Sequence, residues 1–261
     1  MLKSLTIRKK LVLSILIGCL IPYIFGAFYI KSVTEDWLYK NNLEYSNRFL
    51  HQTAKQVDES ILNNMKNLVS MIALDAHILD VTSDINSYVD YDPTNFVKKD
   101  SDLENMIAQY FETIKATQPY IALVAYGTET GGYVEVPTFN PSAPYDPRVR
   151  PWYMNAIETD DVMVSEPYIT KVSNELVFAV TKSVVKSNQK IGVVSLTIKL
   201  ESLMSDINDI ENGRTGYLNI LSSQDVFINS PYDNAWVLKS IDDIGRSEER
   251  RVGKECRYRW S

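Results

Sequence analysis

Twenty consecutive residues without a charge, Leu11 to Ile30, constrain this chain more than any other feature. A helix of that length rises about 30 Å, the depth of the hydrocarbon core of a bilayer. The run passes through Phe28, Tyr29 and Ile30 into Lys31 with no small-residue exit of the kind a signal peptidase needs, so it reads as an uncleaved membrane anchor. Lys3, Arg8, Lys9 and Lys10 precede it and no acidic residue does, which places residues 1–10 in the cytoplasm and the chain after Lys31 outside the cell. Pro22 lies inside the run, where a membrane helix tolerates it.

Beyond the anchor, Leu50, Ala54, Val57, Ile61, Met65, Leu68 and Ile72 recur at intervals of three and four. That period predicts a long helix over 31–73 with one apolar stripe, serving as a dimer seam, as a face packed on its own domain, or as both over different stretches. Ser101, with Glu104 three residues on, forms a capping-box pattern ahead of Leu103, Met106, Ile107, Tyr110, Phe111 and Ile114, and predicts a second helix. The character then changes. Tyr120 to Tyr126, Tyr133 to Val136, Met163 to Ile169, Leu176 to Val185 and Ile191 to Leu200 are short β-branched or aromatic runs broken by Gly, Asn, Pro or Ser. Together they predict an antiparallel sheet of about five strands with helices on one side and loops over the other, an α+β fold. Glu201 to Ile210 reads as a linking helix. Asn212 to Ile220 opens a further strand, with Val226 to Asn229 as its hairpin partner and Asp242-Asp243 as a solvated turn.

Residues 246–261, RSEERRVGKECRYRWS, resemble the translated read of a sequencing adapter and are set aside as a scar. This tail holds six basic and three acidic residues, so the formal charge of −6 becomes −9 without it, and −13 once the four basic residues before the anchor are removed as well. An exposed region that acidic argues against nucleic acid or anionic lipid as its partner. Cys19 lies in the anchor and Cys256 in the scar, leaving no disulfide outside the membrane, so stability must come from a core. His51 and His77 stand far apart with no cluster of acids or thiols at ligand spacing, and neither a metal nor a cofactor is expected.

Tyr145 to Tyr153, YDPRVRPWY, gathers two guanidiniums, an indole and two phenols into nine residues of an acidic chain. Arginine presents a planar fork that matches a carboxylate bidentately, while tyrosine and tryptophan add apolar walls with one donor each. This is the chemistry of a small-molecule pocket. Pro151 suits the first turn of a short helix, which sets Trp152 and Tyr153 at its start. Blander roles compete: Arg148 or Arg150 paired with Asp146 or Glu166, Trp152 as core, and Tyr168 as an ordinary strand aromatic.

With DPRVRPWY, SEPYIT followed by ELVFAVTKSV, IGVVSLTIKL and GRTGYLNIL in order behind an anchor and a long helix, the chain resembles the extracellular double Cache sensor domain of bacterial transmembrane receptors, most of all methyl-accepting chemotaxis proteins. The resemblance implies two stacked PAS-like modules: a distal ligand-binding module over 74–200, a linking helix over 201–211, and the start of a proximal module over 212–245. It also implies a homodimer. In the subset of the family that binds amino acids, the pocket residues correspond to Tyr145, Arg150, Trp152, Tyr153 and Tyr168. The family's ammonium-binding acid falls on Thr197, whose hydroxyl offers only a neutral hydrogen bond, roughly half as strong as a charged one. The expectation is that Arg150 grips a carboxylate beside Trp152 and Tyr145. The ligand is then a plain organic acid, or an amino acid whose amine meets another acceptor such as Glu166 or Asp161. The same sensor can drive chemotaxis, a histidine kinase or a diguanylate cyclase. A surface enzyme is the remote alternative, since GxSxG is missing and neither histidine lies near the aromatic cluster.

Overall fold

The computed structural model describes residues 7–80, 84–170, 173–208, 219–222, 224–231 and 233–244. The chain divides into two compact units, 1–51 and 52–261. The first unit is helical throughout its described residues and holds most of α1 (Ile7–Val57), with Pro22 inside it. Among the described residues no helix is long and apolar enough to cross a membrane; the side chains of residues 12–14 and 17, within the uncharged run, lie outside that description.

The second unit begins at Gln52, within the last turns of α1. A π-helical turn at Asp58–Leu62 separates α1 from α2 (Asn63–Ala73), so the helix expected to be unbroken contains one wider turn. A π turn inserts a residue and rotates everything after it. The consequence is visible in burial: the stripe past the turn is Leu62, Met65, Val69 and Ile72, whereas Ile61 and Leu68, expected on that stripe, are only partly buried. The short α3 (Ala76–Leu79) follows, its first turn closed by the Asp75 carboxylate accepting from the backbone N–H of His77 at 2.9 Å.

Helix α4 (Asp102–Thr117) starts as the sequence predicts, with Ser101 Oγ accepting from the backbone N–H of Glu104 at 3.1 Å. The return half of the capping box is used differently. Glu104 accepts instead from the backbone N–H and side chain of Asn86, at 2.9 and 2.7 Å, with Lys98 Nζ at 3.1 Å, tying the segment before the helix to its first turn. Ile107, Phe111 and Ile114 form its buried face.

The sheet is antiparallel and six-stranded: β1 (Ile121–Thr128), β2 (Tyr133–Val136), β3 (Met163–Val164), β4 (Tyr168–Ile169), β5 (Leu176–Lys186) and β6 (Gln189–Lys199). Its order is β2-β1-β6-β5-β3, with β4 also paired to β5. Five strands were expected. The run Met163 to Ile169 is two strands, because Pro167 has no N–H to give a ladder and the chain leaves β5 at Glu166-Pro167 before rejoining it. Strands β5 and β6 join through Ser187 and Asn188, both at positive φ, as a two-residue hairpin of this twist requires. Strand alternation gives the sheet two different faces. Val124, Tyr126, Val134, Phe178, Val180, Val184, Val194, Leu196 and Ile198 share one core with Met65, Val69, Ile72, Ile107 and Phe111 from the helices. The other face carries Leu123, Ala125 and Gly127 on β1, Tyr133 and Glu135 on β2, Ala179, Thr181 and Ser183 on β5, and Val193, Ser195 and Thr197 on β6.

Helix α6 (Leu200–Asn208) occupies the place expected of the linking helix. The expected strand opening at Asn212 lies outside the described residues up to 218. Its remainder is present as β7 (Ile220–Leu221), paired with β8 (Phe227–Asn229) as the sequence predicts. Asp242-Asp243 is solvent-exposed, as the sequence predicts. It lies in a helical turn, α7 (Ile241–Ile244), because Ser240 and Asp243 cap each other reciprocally, each side chain accepting from the other's backbone N–H at 3.2 Å. The adapter-like residues 246–261 lie outside the described residues.

Close approach of β1 and β6 depends on Gly192, where an added Cβ would lie 2.4 Å from the Gly127 carbonyl oxygen and 2.8 Å from the Tyr126 ring. Gly192→Ala is expected to cost about 1–3 kcal/mol or more, through forced separation of two central strands. Denaturant titration checks this: the midpoint falls with an unchanged slope, and an unaltered midpoint would show that the strands can yield.

Candidate functional site

The second face of the sheet is covered by the chain between β2 and β3. Asp146 opens a 3-10 turn, Pro147–Val149, accepting from the backbone N–H of Arg148 at 2.9 Å, and α5 (Pro151–Ile157) follows with Pro151 at its first position. The far end of α5 is fastened by donors from the strands. Ser183 Oγ reaches the Thr159 carbonyl at 2.8 Å, Lys190 Nζ the Ile157 carbonyl at 2.7 Å, and Lys182 Nζ the Asp160 carbonyl at 2.7 Å. Cations at a helix C-terminus also match its dipole. Gly127 makes room beneath: an added Cβ would meet Pro147 Cβ at 2.8 Å, Trp152 Cη2 at 3.1 Å and Tyr153 Cδ2 at 3.2 Å.

The two arginines of the motif separate in role. Arg148 is bound by Asp146 through Nε at 2.9 Å and Nη2 at 2.8 Å, a bidentate pair that holds the Asp146 carboxyl below its usual range. Arg150, two residues on, has no ion pair among the described residues. Its guanidinium lies over the Tyr145 ring, 4.5 Å from the centroid, and its buried Nε has no hydrogen-bond partner. A buried donor on a permanent cation is costly to leave unmet.

Around Arg150 the expected residues assemble in two groups. The Trp152 indole donates to the Tyr145 hydroxyl, and Tyr145 is also hydrogen-bonded to Tyr133. The rings of Tyr133, Tyr145 and Phe139 lie within 5.1 Å of one another between centroids, and Tyr88 meets Phe139 at 5.1 Å as well. On the other side, Thr197 is hydrogen-bonded to Tyr168, which burial holds above the ordinary phenol value and whose ionisation the nearby Tyr145 opposes. Tyr168 is 40 % exposed and so stands at the rim, while Thr197 is buried on the floor. Small side chains neighbour Thr197 on this face: Ala179 stands opposite it on β5, and Ala125 on β1 stands opposite Ser195 on β6. Tyr153 behaves differently. It is buried, its ring stands edge-on to Trp152 at 5.6 Å, and its hydroxyl donates to Glu129 at 2.8 Å. Tyr153 thus braces the tryptophan and ties α5 to the β1–β2 hairpin. Of the alternative acceptors, Asp161 and Glu166 are both exposed.

Sequence reasoning missed Glu135. It is the only acidic residue in the six strands of the sheet, and it stands on the same face as Thr197, in the row Glu135, Ala125, Ser195. Tyr133 donates its hydroxyl to Glu135 Oε2. Burial pushes the Glu135 carboxyl up to about 7, against a smaller lowering by Tyr133. The signal was present as a lone carboxylate in the alternation Tyr133-Val134-Glu135-Val136, on the side opposite the valines.

The folded chain holds the Glu135 proton up to about pH 7, whereas the unfolded chain loses it near 4.5. Between those values the folded state binds more protons, so this group's contribution to stability is intact below 4.5, falls as pH rises and is lost above 7. Glu135→Gln should flatten that slope, raising the unliganded chain's melting temperature relative to the parent by a few degrees, on the order of 2–4 °C per kcal/mol, at pH 8 and little at pH 4.5. Equal slopes for both proteins in thermal melts would contradict it.

Residues 93–205, which contain all six expected site residues and Glu135, match the family described as methyl-accepting chemotaxis protein-like, first PDC sensor domain. Methyl-accepting chemotaxis protein PscA of Pseudomonas syringae pv. tomato is 35 % identical over 118 residues, 45 % of this chain and 19 % of that protein. Methyl-accepting chemotaxis protein PctB of Pseudomonas aeruginosa is 31 % identical over 127 residues, 49 % of this chain and 20 % of that one. The chain thus spans about a fifth of the length of these curated relatives. The solved ligand-binding domain of the amino acid chemoreceptor PctB of Pseudomonas aeruginosa, in complex with L-Arg, superposes with a TM-score of 0.58 at 25 % identity, covering 77 % of each chain. The six-stranded sheet with its covered face, the matched segment and these relatives agree in what they resemble: residues 93–205 are similar to the first PDC sensor domain of methyl-accepting chemotaxis protein-like receptors, and the fold is that of solved chemoreceptor ligand-binding domains.

Proposed function

We propose that this chain is the ligand-sensing part of a transmembrane chemoreceptor and that it recognises a small carboxylate or amino acid outside the cell. The observation that carries the reading is Arg150, a guanidinium held over Tyr145 beside Trp152, with a buried Nε that has no hydrogen-bond partner among the described residues. A ligand carboxylate completes it, and Trp152 and Tyr145 orient the ligand while Thr197 and Tyr168 form the opposite wall. PctB, a relative of this chain, was solved with L-Arg bound, which supports a ligand of this class.

In the same reading, residues 1–10 are cytoplasmic, 11–30 form a single membrane span, and 31–73 form the membrane-proximal helix, paired with its counterpart in a homodimer. Residues 74–200 are the distal ligand-binding module, 201–211 the linking helix and 212–245 the start of a proximal module. The chain is a receptor and not an enzyme, and the output is chemotaxis, as the names of PscA and PctB indicate for those proteins. Ligand closure over the second face of the sheet moves the sheet against the helices of its first face. Such a shift draws its energy only from a difference in affinity between two states.

Calorimetric titration of the detergent-solubilised chain with amino acids and simple carboxylates tests the site. Arg150→Ala should weaken any carboxylate ligand about a hundredfold or more, as expected for loss of a buried charge-assisted contact. Unchanged affinity in that variant would remove the chemical basis of the assignment. The signalling step is checked by disulfide cross-linking between copies along residues 33–72: the pattern should differ with and without ligand, and an identical pattern would refute transmission through this helix.

A further inference from the structure

The carboxylate end of a ligand is accounted for by Arg150; the other end is not. Thr197 is hydrogen-bonded to Tyr168, and its oxygen is a neutral acceptor, a weak match for a cation. Glu135 is different in kind. It is the one carboxylate in the strands of the sheet, on the face that α5 covers, and no cation faces it among the described residues. Its recorded hydrogen bond comes from Tyr133, which is hydrogen-bonded to Tyr145, the ring beneath Arg150. Beside it in the same row are the small side chains Ala125 and then Ser195, and Ala125 packs with Tyr88 and Tyr133. The walls at this end are the rings of Tyr133, Tyr145, Phe139 and Tyr88, whose faces attract a cation.

From this placement, and resting on the reading of Arg150 as a carboxylate site, we infer that Glu135 is a specificity-determining residue that receives the ligand's cationic group, so that the site selects an ammonium-bearing carboxylate over a plain one. An ammonium there meets one full charge and the aromatic faces around it, while the carboxylate meets the full charge of Arg150. A plain acid leaves Glu135 unpaired and keeps it protonated. The titratable groups facing Glu135 are Tyr133 on its own strand, Tyr145 from the stretch before α5, and Tyr88 from the segment that bridges to Tyr145; Arg150 lies beyond Tyr145.

The test uses the whole chain in detergent and three probes: propionate, with no amine; L-alanine, with an α-amine; and 4-aminobutanoate, with a distal amine. The parent should bind at least one amine probe about tenfold or more tighter than propionate, and which one does so distinguishes an α-ammonium from a distal one. Glu135→Gln keeps the acceptor for Tyr133 and should lose about tenfold for that probe while leaving propionate within about twofold. A second measurement needs no variant. With Glu135 near 7, binding of the amine probe at pH 6.5 should release a proton, seen as an enthalpy that varies with the ionisation heat of the buffer, and propionate should release none. Glu135→Gln weakening all probes equally or none of them, or binding of the amine probe without proton release, overturns the assignment of Glu135 and leaves the carboxylate site standing. If Arg150→Ala leaves propionate binding unchanged, or the parent binds no probe, the site reading falls and this inference with it.

Discussion

Alternation along four strands governs this molecule. On β6, Val194, Leu196 and Ile198 are sealed against the helices, and Val193, Ser195 and Thr197 face the other way. A register slip of one residue on any strand would carry valines into the site and hydroxyls into the core, which makes the register costly to change. The apolar face supplies the stability a domain without disulfides needs. The opposite face is thereby released from packing duty and carries small and polar side chains, with Gly127 letting Trp152 and Tyr153 approach the backbone.

Over that face the segment from Tyr145 to Ile157 is held from both ends, by Asp146 with Arg148 and by donors from β5 and β6 to the carbonyls at the end of α5. This tethering explains why two arginines of one motif do different work. Arg148 spends its guanidinium on Asp146 and fixes the turn. Arg150 is thereby left over Tyr145 with an unsatisfied buried Nε. Tyr153 likewise serves the frame, with its hydroxyl given to Glu129, while Trp152 and Tyr145 are hydrogen-bonded to each other next to the free guanidinium. The polar groups beside Arg150 are thereby oriented by the fold itself.

Much of this was legible in residues with strong local signals. Ser101 capped the helix it preceded, Pro151 opened α5, Asp146 paired with Arg148, and the hydroxyls of β6 lay opposite its valines. Other features arise between segments distant in sequence. The π turn at Asp58–Leu62 leaves no mark in apolar spacing, so the buried stripe was read one residue out of phase at Ile61 and Leu68. Glu104 meets Asn86 and not its own helix N-terminus, and Ser240 with Asp243 gives the expected solvated turn its helical form.

What the sequence by itself determined is the set of elements, the two faces of the sheet and the chemical kind of the motif at Tyr145 to Tyr153, because each follows from periodicity, capping or side-chain type within a few residues. Only the tertiary structure decided which arginine keeps a buried Nε without a partner among the described residues, and that Glu135 joins the hydrogen-bonded group of Tyr133 and Tyr145. Both depend on which groups from β2, β6 and the chain before α5 come within hydrogen-bonding reach, and a carboxylate ten residues before Tyr145 reveals its neighbours only once β2 is paired to β1.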